Sequence, residues 1–398
     1  MEHKTFQNDF YTYQDSSTGR RVTRLTDPAV LNHHPYFYNK MFTADGRYLF
    51  YSRLIEGKKK LLRMDLQTGE SQLLLDEESG GDVGSIKLSA DEKYVYFTSE
   101  GATYKLNLST FQKEFVYRAP KEDGWSSGAI EISDDGRYAV TTQTFLPDVD
   151  HIYKAHPVGW ASYDLVWEAK PRCRLLYIDL HKQETKVIYE DNCWIGHAQI
   201  RPGHNDQVCF CHEGPGHKVD ARLWFINSDG TNLRCARPQV PGEHIGHEFW
   251  TYDGKYMMYV YRKFTPGSLA TEDLVYPDTY MPLPGRIEKE IIMKLDAETL
   301  EETAFMEAPL FCHFVADRTG RYVVGDCQSD TEPYICMVDL EKKKVHTVCE
   351  HRTSWKPYVS SQDAHPHPAF TPDGQKVVFT TDKDGLPAIF MADVGDLL

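Results

Sequence analysis

The sequence predicts an all-β protein, a seven-bladed β-propeller spanning residues 1–398 as one domain, and three observations lead there. A turn-and-strand unit recurs along the whole chain, with most copies about 45 to 55 residues apart, the length of a four-stranded blade. Composition leans towards strands, since 24 Tyr and 19 Phe are residues that pleated surfaces favour. Finally, the last copy stops one strand short, while the amino-terminal segment holds a strand with no partner of its own.

The copies justify the blades in order. They are TADGRYLFYS from Thr43, SADEKYVYFTS from Ser89, SDDGRYAVTT from Ser133, PGHNDQVCFC from Pro202, TYDGKYMMYV from Thr251, DRTGRYVVGD from Asp317 and TPDGQKVVFTT from Thr371. Asp-Gly and Asn-rich connectors supply the positive φ that tight hairpins need. Each copy is followed by a partner strand, from LLRMDLQTGESQLL in the first blade to PAIFMADV in the last. Two longer gaps must hold insertions. The last blade ends at Phe390-Met391-Ala392-Asp393, and GRRVTRLTD at 19–27 is expected to supply its outer strand and close the ring, removing an exposed sheet edge.

Composition narrows the partners. Net charge is −15, and no run of Lys or Arg is long enough to grip a phosphate backbone, so nucleic acid is not expected. Lys-Lys-Lys at 58–60 and at 342–344 falls in hairpin turns and reads as solvated surface. No stretch approaches the roughly 20 apolar residues of a membrane span, and the amino terminus lacks a signal-type core. Nine Cys without CxxC pairing fit reduced thiols and a cytoplasmic location.

Histidines fall in register. The first strand of each blade lines a propeller's channel, so the copies can be aligned there by counting back seven residues from the turn glycine. Gly254, Gly320 and Gly374 give His247, His313 and His367. Anchoring on strand residues puts His197 in the same row, while the first three blades give Asn39, Ser85 and Ala129. Unrelated packing histidines have no reason to share a register, so the row reads as a site. His365 stands two residues from His367, on the same side of an extended strand, and Gln362 precedes both. Imidazoles plus an amide oxygen suit manganese, iron or zinc better than copper(I). A rigid channel mouth built by Pro366 and Pro368 explains the same HPHP stretch without any ligand. Spacing alone does not say which row member binds and which reacts.

CHEGPGHKVDARLWFINSDGTN at 211–232, GHEFW at 246–250, TSW at 353–355 and QDAHPHPAFTPDG at 362–374 resemble the oligogalacturonate lyase family, a propeller family of pectin breakdown. The similarity runs from YFYNKMFTADG at 36–46 to LPAIFMADV at 386–394. The resemblance implies a manganese ion held by His313, Gln362, His365 and His367, with His247 as Brønsted base and Arg222 beside the substrate carboxylate. His212, Glu213, His197 and His33 are candidates to touch sugar, and Tyr36, Tyr38 and Trp355 to stack on it. Glu248 and Glu213 are expected as partners of a cation rather than as a hydrolase pair. Family members tend to carry HRNYFY where this chain has His34 and Pro35 in HHPYFY, and an arginine at Ser361.

The implied activity is β-elimination of short, unsaturated galacturonate oligosaccharides, chiefly disaccharides, to ketodeoxyuronate monomers. Two alternatives are a lyase for another uronate and a non-catalytic binding propeller, the latter expecting no metal and no row of histidines.

Overall fold

The computed structural model describes residues 4–75, 82–118, 123–156, 161–215, 218–219, 221–240, 242–266, 285–328, 333–360 and 362–398. Seven antiparallel sheets follow one another, the blades of a seven-bladed β-propeller, with few helices. The chain divides into two compact units, 1–117 with 309–398 and 118–308.

The first unit holds blades 1, 2, 6 and 7. Blade 1 runs outward from Asn32–His33 through Tyr48–Ile55 and Lys58–Asp65 to Glu70–Leu73, with Thr5–Gln7 added at its edge. That edge strand is new relative to the sequence reading; Asn8 ties it down through Gly69 O and Ser71 Oγ, both at 2.8 Å. Blade 7 is completed as the unpaired amino-terminal segment suggested. Arg21–Arg24 pairs with Ala388–Asp393, Val22 facing Ala392, and Tyr11–Gln14 pairs outside it. Val22, Phe379, Phe390 and Ala392 are fully buried together, so closing this blade also closes its core. Each such large apolar side chain contributes about 1.5–3 kcal/mol on burial.

The second unit holds blades 3, 4 and 5. One insertion, helices α1 (Leu146–Ala155) and α2 (Ala161–Ala169), interrupts blade 3 between its second and third strands. The other falls between Tyr256–Pro266 and Gly285–Asp296 of blade 5, and residues 267–284 lie outside the described residues.

The repeated turns share one mechanism. Thr43 Oγ1 donates to Asp45 at 2.6 Å and accepts from Tyr48 N at 3.0 Å, while Asp45 accepts from Arg47 N at 3.0 Å. Gly46 sits at φ +70°, where a Cβ would be strained. Ser89/Asp91, Ser133/Asp135, Thr251/Asp253 and Thr371/Asp373 repeat these bonds.

Candidate active site

The histidine register has a backbone cause. In blades 2 to 6 the first strand places two residues against one of its neighbour, between Gly84 and Lys87, Ser127 and Ile130, Gly196 and Gln199, Gly246 and Phe249, and Phe311 and Phe314. These are β-bulges, which kink a strand and re-aim a side chain. Row residues Ser85, Ala129, His197, His247 and His313 all fall inside them. Ser85, His197, His247 and His367 adopt positive φ, from 41° to 57°. For a residue with a Cβ this costs on the order of 1–3 kcal/mol, and such strain collects at functional sites.

In the first unit, His313, His365 and His367 bring one ring nitrogen each within 4.8 Å of one another, all three side chains being buried. Gln362 Oε1 lies 3.0 Å from His367 Nε2. Asp326, fully buried, accepts from His313 N at 2.6 Å, pairs with His313 Nδ1 at 3.2 Å and accepts from His367 N at 3.2 Å. One carboxylate therefore fixes the ring of His313 and joins blade 6 to blade 7. With Nδ1–H donated to Asp326, His313 presents the Nε2 lone pair, the arrangement typical of a metal-ligating imidazole. Burial, then the neighbouring His313, holds His365 and His367 well below the usual histidine range, so both are neutral with lone pairs available near pH 7. The donor set thus fits a divalent transition metal. Cys312 Sγ lies 3.8 Å from His313 Nε2.

Around this group, Trp355 stands edge-on to His365 with ring centroids 5.0 Å apart, and Tyr36 edge-on to His367 at 4.8 Å. Trp355 is buried, so it packs His365 rather than offering an open stacking face. His33 donates Nδ1–H to His34 O at 2.5 Å, which leaves its Nε2 as a lone-pair acceptor, and that buried atom has no partner among the described residues. The His33 ring centroid is 5.6 Å from that of His367. His34 is buried against Thr380 Oγ1 at 3.3 Å, and burial drops its pKa to about 3. Pro35 is buried too, and Ser361 lies outside the described residues.

The second unit holds a charged cluster. Arg222 donates Nη1–H to Glu213 at 2.8 Å, Nε–H to Glu248 at 3.1 Å and Nη2–H to the other Glu248 oxygen at 3.2 Å. His197 Nε2 meets Glu213 Oε2 at 3.2 Å, and the Tyr163 hydroxyl, from α2, donates to Glu213 Oε1. Burial opposes ionisation of Glu213, but Arg222 and His197 outweigh it and hold the carboxyl well below its usual range. His197 is raised against its own burial by the bond to Glu213. A guanidinium answered by two carboxylates is positioned firmly, and its charge is locally offset. His247 stands on the bulge immediately before Glu248. His212 is stacked on Trp224 at 5.0 Å, a packing position at the end of its strand.

The sequence profile of the oligogalacturonate lyase family matches residues 1–398. The chain belongs to the oligogalacturonate lyase family. It is 32% identical to an oligogalacturonide lyase of Pectobacterium atrosepticum, over 97% of this chain and 96% of that protein. It is equally identical to an oligogalacturonate lyase of Dickeya dadantii, over 99% and 98%. A solved oligogalacturonate lyase in complex with manganese superposes with a TM-score of 0.86 at 32% identity, covering 99% of this chain and 98% of that one. Within this oligogalacturonate lyase relative, sequence reasoning missed Asp326 and Tyr163. A carboxylate inside the apolar strand YVVGDC was the available signal for Asp326. Tyr163 had none, because nothing local links a helical insertion to Glu213.

Proposed function

We propose that the protein is a manganese-dependent oligogalacturonate lyase that splits short, unsaturated galacturonate oligosaccharides, chiefly disaccharides, to ketodeoxyuronate monomers by β-elimination. The observation that carries this reading is the buried His313, His365 and His367 group, oriented by Asp326, in a chain that matches the family from end to end. His313, Gln362, His365 and His367 would hold the ion. Manganese bound there supplies a dication that withdraws charge from a uronate carboxylate, making the adjacent C5 proton removable.

His247 takes that proton. A neutral imidazole has a reference pKa of about 6.5, matched to general-base work near pH 7. The C5–H electron pair becomes the C4–C5 double bond, and the C4–O pair departs with the glycosidic oxygen, which is then protonated. No water attacks, so no pair of carboxylates is required. Arg222 contributes oriented N–H donors beside the carboxylate, with Glu213, Glu248 and His197 fixing its plane. His33 Nε2 accepts from a sugar hydroxyl. His212 belongs to the supporting wall.

Nine free thiols support a cytoplasmic location. Among the described residues, no helix is long and apolar enough to cross a membrane. Turnover of digalacturonate should stop on treatment with a chelator and return with Mn²⁺. Full activity in a chelated, metal-free protein would overturn the assignment.

A further inference from the structure

The lysine run at 58–60 was expected to be solvated, and the structure departs from that. Lys60 is 5% exposed and the Lys59 side chain 14%. Both stand in the strand Lys58–Asp65, where successive side chains point to opposite faces. Lys58 and Lys60 share one face, and Lys59 takes the other. Its ammonium donates to Asp363 Oδ1 at 2.5 Å and to Ser360 Oγ at 3.3 Å. Asp363 directly follows the proposed metal ligand Gln362. Its second oxygen is occupied by Val359 N at 2.8 Å and Ser360 N at 2.7 Å, and its side chain is 1% exposed. The anion of the pair is thus turned into the loop, and the cation is the more accessible member. The third ammonium proton has no partner among the described residues.

Beside it lies His33, whose Nε2 lone pair is unanswered and whose ring faces His367. With its Nδ1–H committed to His34 O, that imidazole offers Nε2 as an acceptor. An acceptor and an oriented cation together suit a sugar hydroxyl and a carboxylate. A digalacturonate carries two carboxylates, whereas Arg222, flanked by Glu213 and Glu248, brings little uncompensated charge to either.

We infer that Lys59, with His33, forms the subsite that takes the carboxylate of the sugar ring not undergoing elimination. This rests on the lyase reading given above and names the residue that makes the substrate an acidic disaccharide. Lys59→Gln keeps polar contact with Asp363 and Ser360 while removing the charge; Lys59→Arg keeps the charge.

Binding of digalacturonate to the metal-free protein, followed by calorimetry, should weaken about 10- to 100-fold in Lys59→Gln, the effect of losing a charge-assisted bond. Lys59→Arg should recover most of it, and the salt dependence of binding should flatten in the Gln variant only. In the manganese-loaded enzyme, KM should rise by a similar factor while kcat and Mn²⁺ affinity stay within about threefold of wild type. Equal digalacturonate affinity in wild type and Lys59→Gln overturns the inference. So does loss of Mn²⁺ affinity with unchanged sugar binding, which would make Lys59 a latch for the Gln362 loop. Digalacturonate bound by wild type and lost in Lys59→Gln, but never turned over, sinks the lyase reading and leaves the subsite standing.

Discussion

Arg222→Met isolates the physics of the charged cluster. The guanidinium is 6% exposed and makes three charge-assisted bonds to Glu213 and Glu248, themselves 6% and 1% exposed. Methionine fills similar volume, so packing changes little and the loss is electrostatic. Each such bond contributes about 1.5–3 kcal/mol, and removing one partner of a buried pair leaves uncompensated charge at a cost of about 3–5 kcal/mol in total. Two carboxylates then share a buried site, with the His197 imidazole and the Tyr163 hydroxyl left on Glu213.

The pH dependence follows in sign. In wild type Glu213 is depressed, so its stabilising contribution is present above the unfolded value, about 4.3, and is lost as pH falls through the lower folded value. In Arg222→Met, burial and like charge push the two carboxyls up. The variant should then gain stability as pH falls from 7 towards 5, where wild type does not. Denaturant unfolding across that range checks both points, and Glu213→Gln in the Arg222→Met background should restore part of the loss. A deficit below about 1 kcal/mol at pH 7, with a pH profile parallel to wild type, would show that Glu213 and Glu248 are not held ionised by Arg222.

His247→Asn tests the proposed base, and asparagine tolerates the positive φ of this bulge. Activity should fall about 10²- to 10⁴-fold with Mn²⁺ content unchanged, measured by turnover and elemental analysis. Asp326→Asn removes the carboxylate that orients His313, and should weaken Mn²⁺ binding about 10- to 100-fold in a competitive chelator titration. His365→Ala should abolish stoichiometric Mn²⁺ binding while the unfolding transition stays cooperative, since His365 carries no ladder bond of blade 7.

Much of this was legible in the residues. Turns such as Thr43 to Gly46 announce themselves because hydroxyl, carboxylate and glycine each have a distinct local role, and seven turn-and-strand copies at blade spacing admit few architectures. The missing last strand pointed to Arg21–Arg24 by the same logic. The histidine row was visible as a register, but its cause was not: a bulge leaves no mark in the sequence, and only pairing reveals that His247 and His367 stand in left-handed backbone. Asp326 and Lys59 were hidden for a related reason. A lysine in a basic run looks solvated until its strand phase is known, and Asp326 acquires its role from residues 13 and 41 positions away. Tertiary packing, not local chemistry, decides both.

Digalacturonate carrying deuterium at C5 of the ring to be eliminated tests the central assignment most directly, with products weighed by mass spectrometry after incubation with the manganese-loaded protein. The account predicts loss of that deuterium to solvent, an unsaturated or ketodeoxyuronate product, and no water added across the cleaved bond. Two galacturonates with the deuterium retained, their summed mass exceeding the substrate by one water, would contradict it.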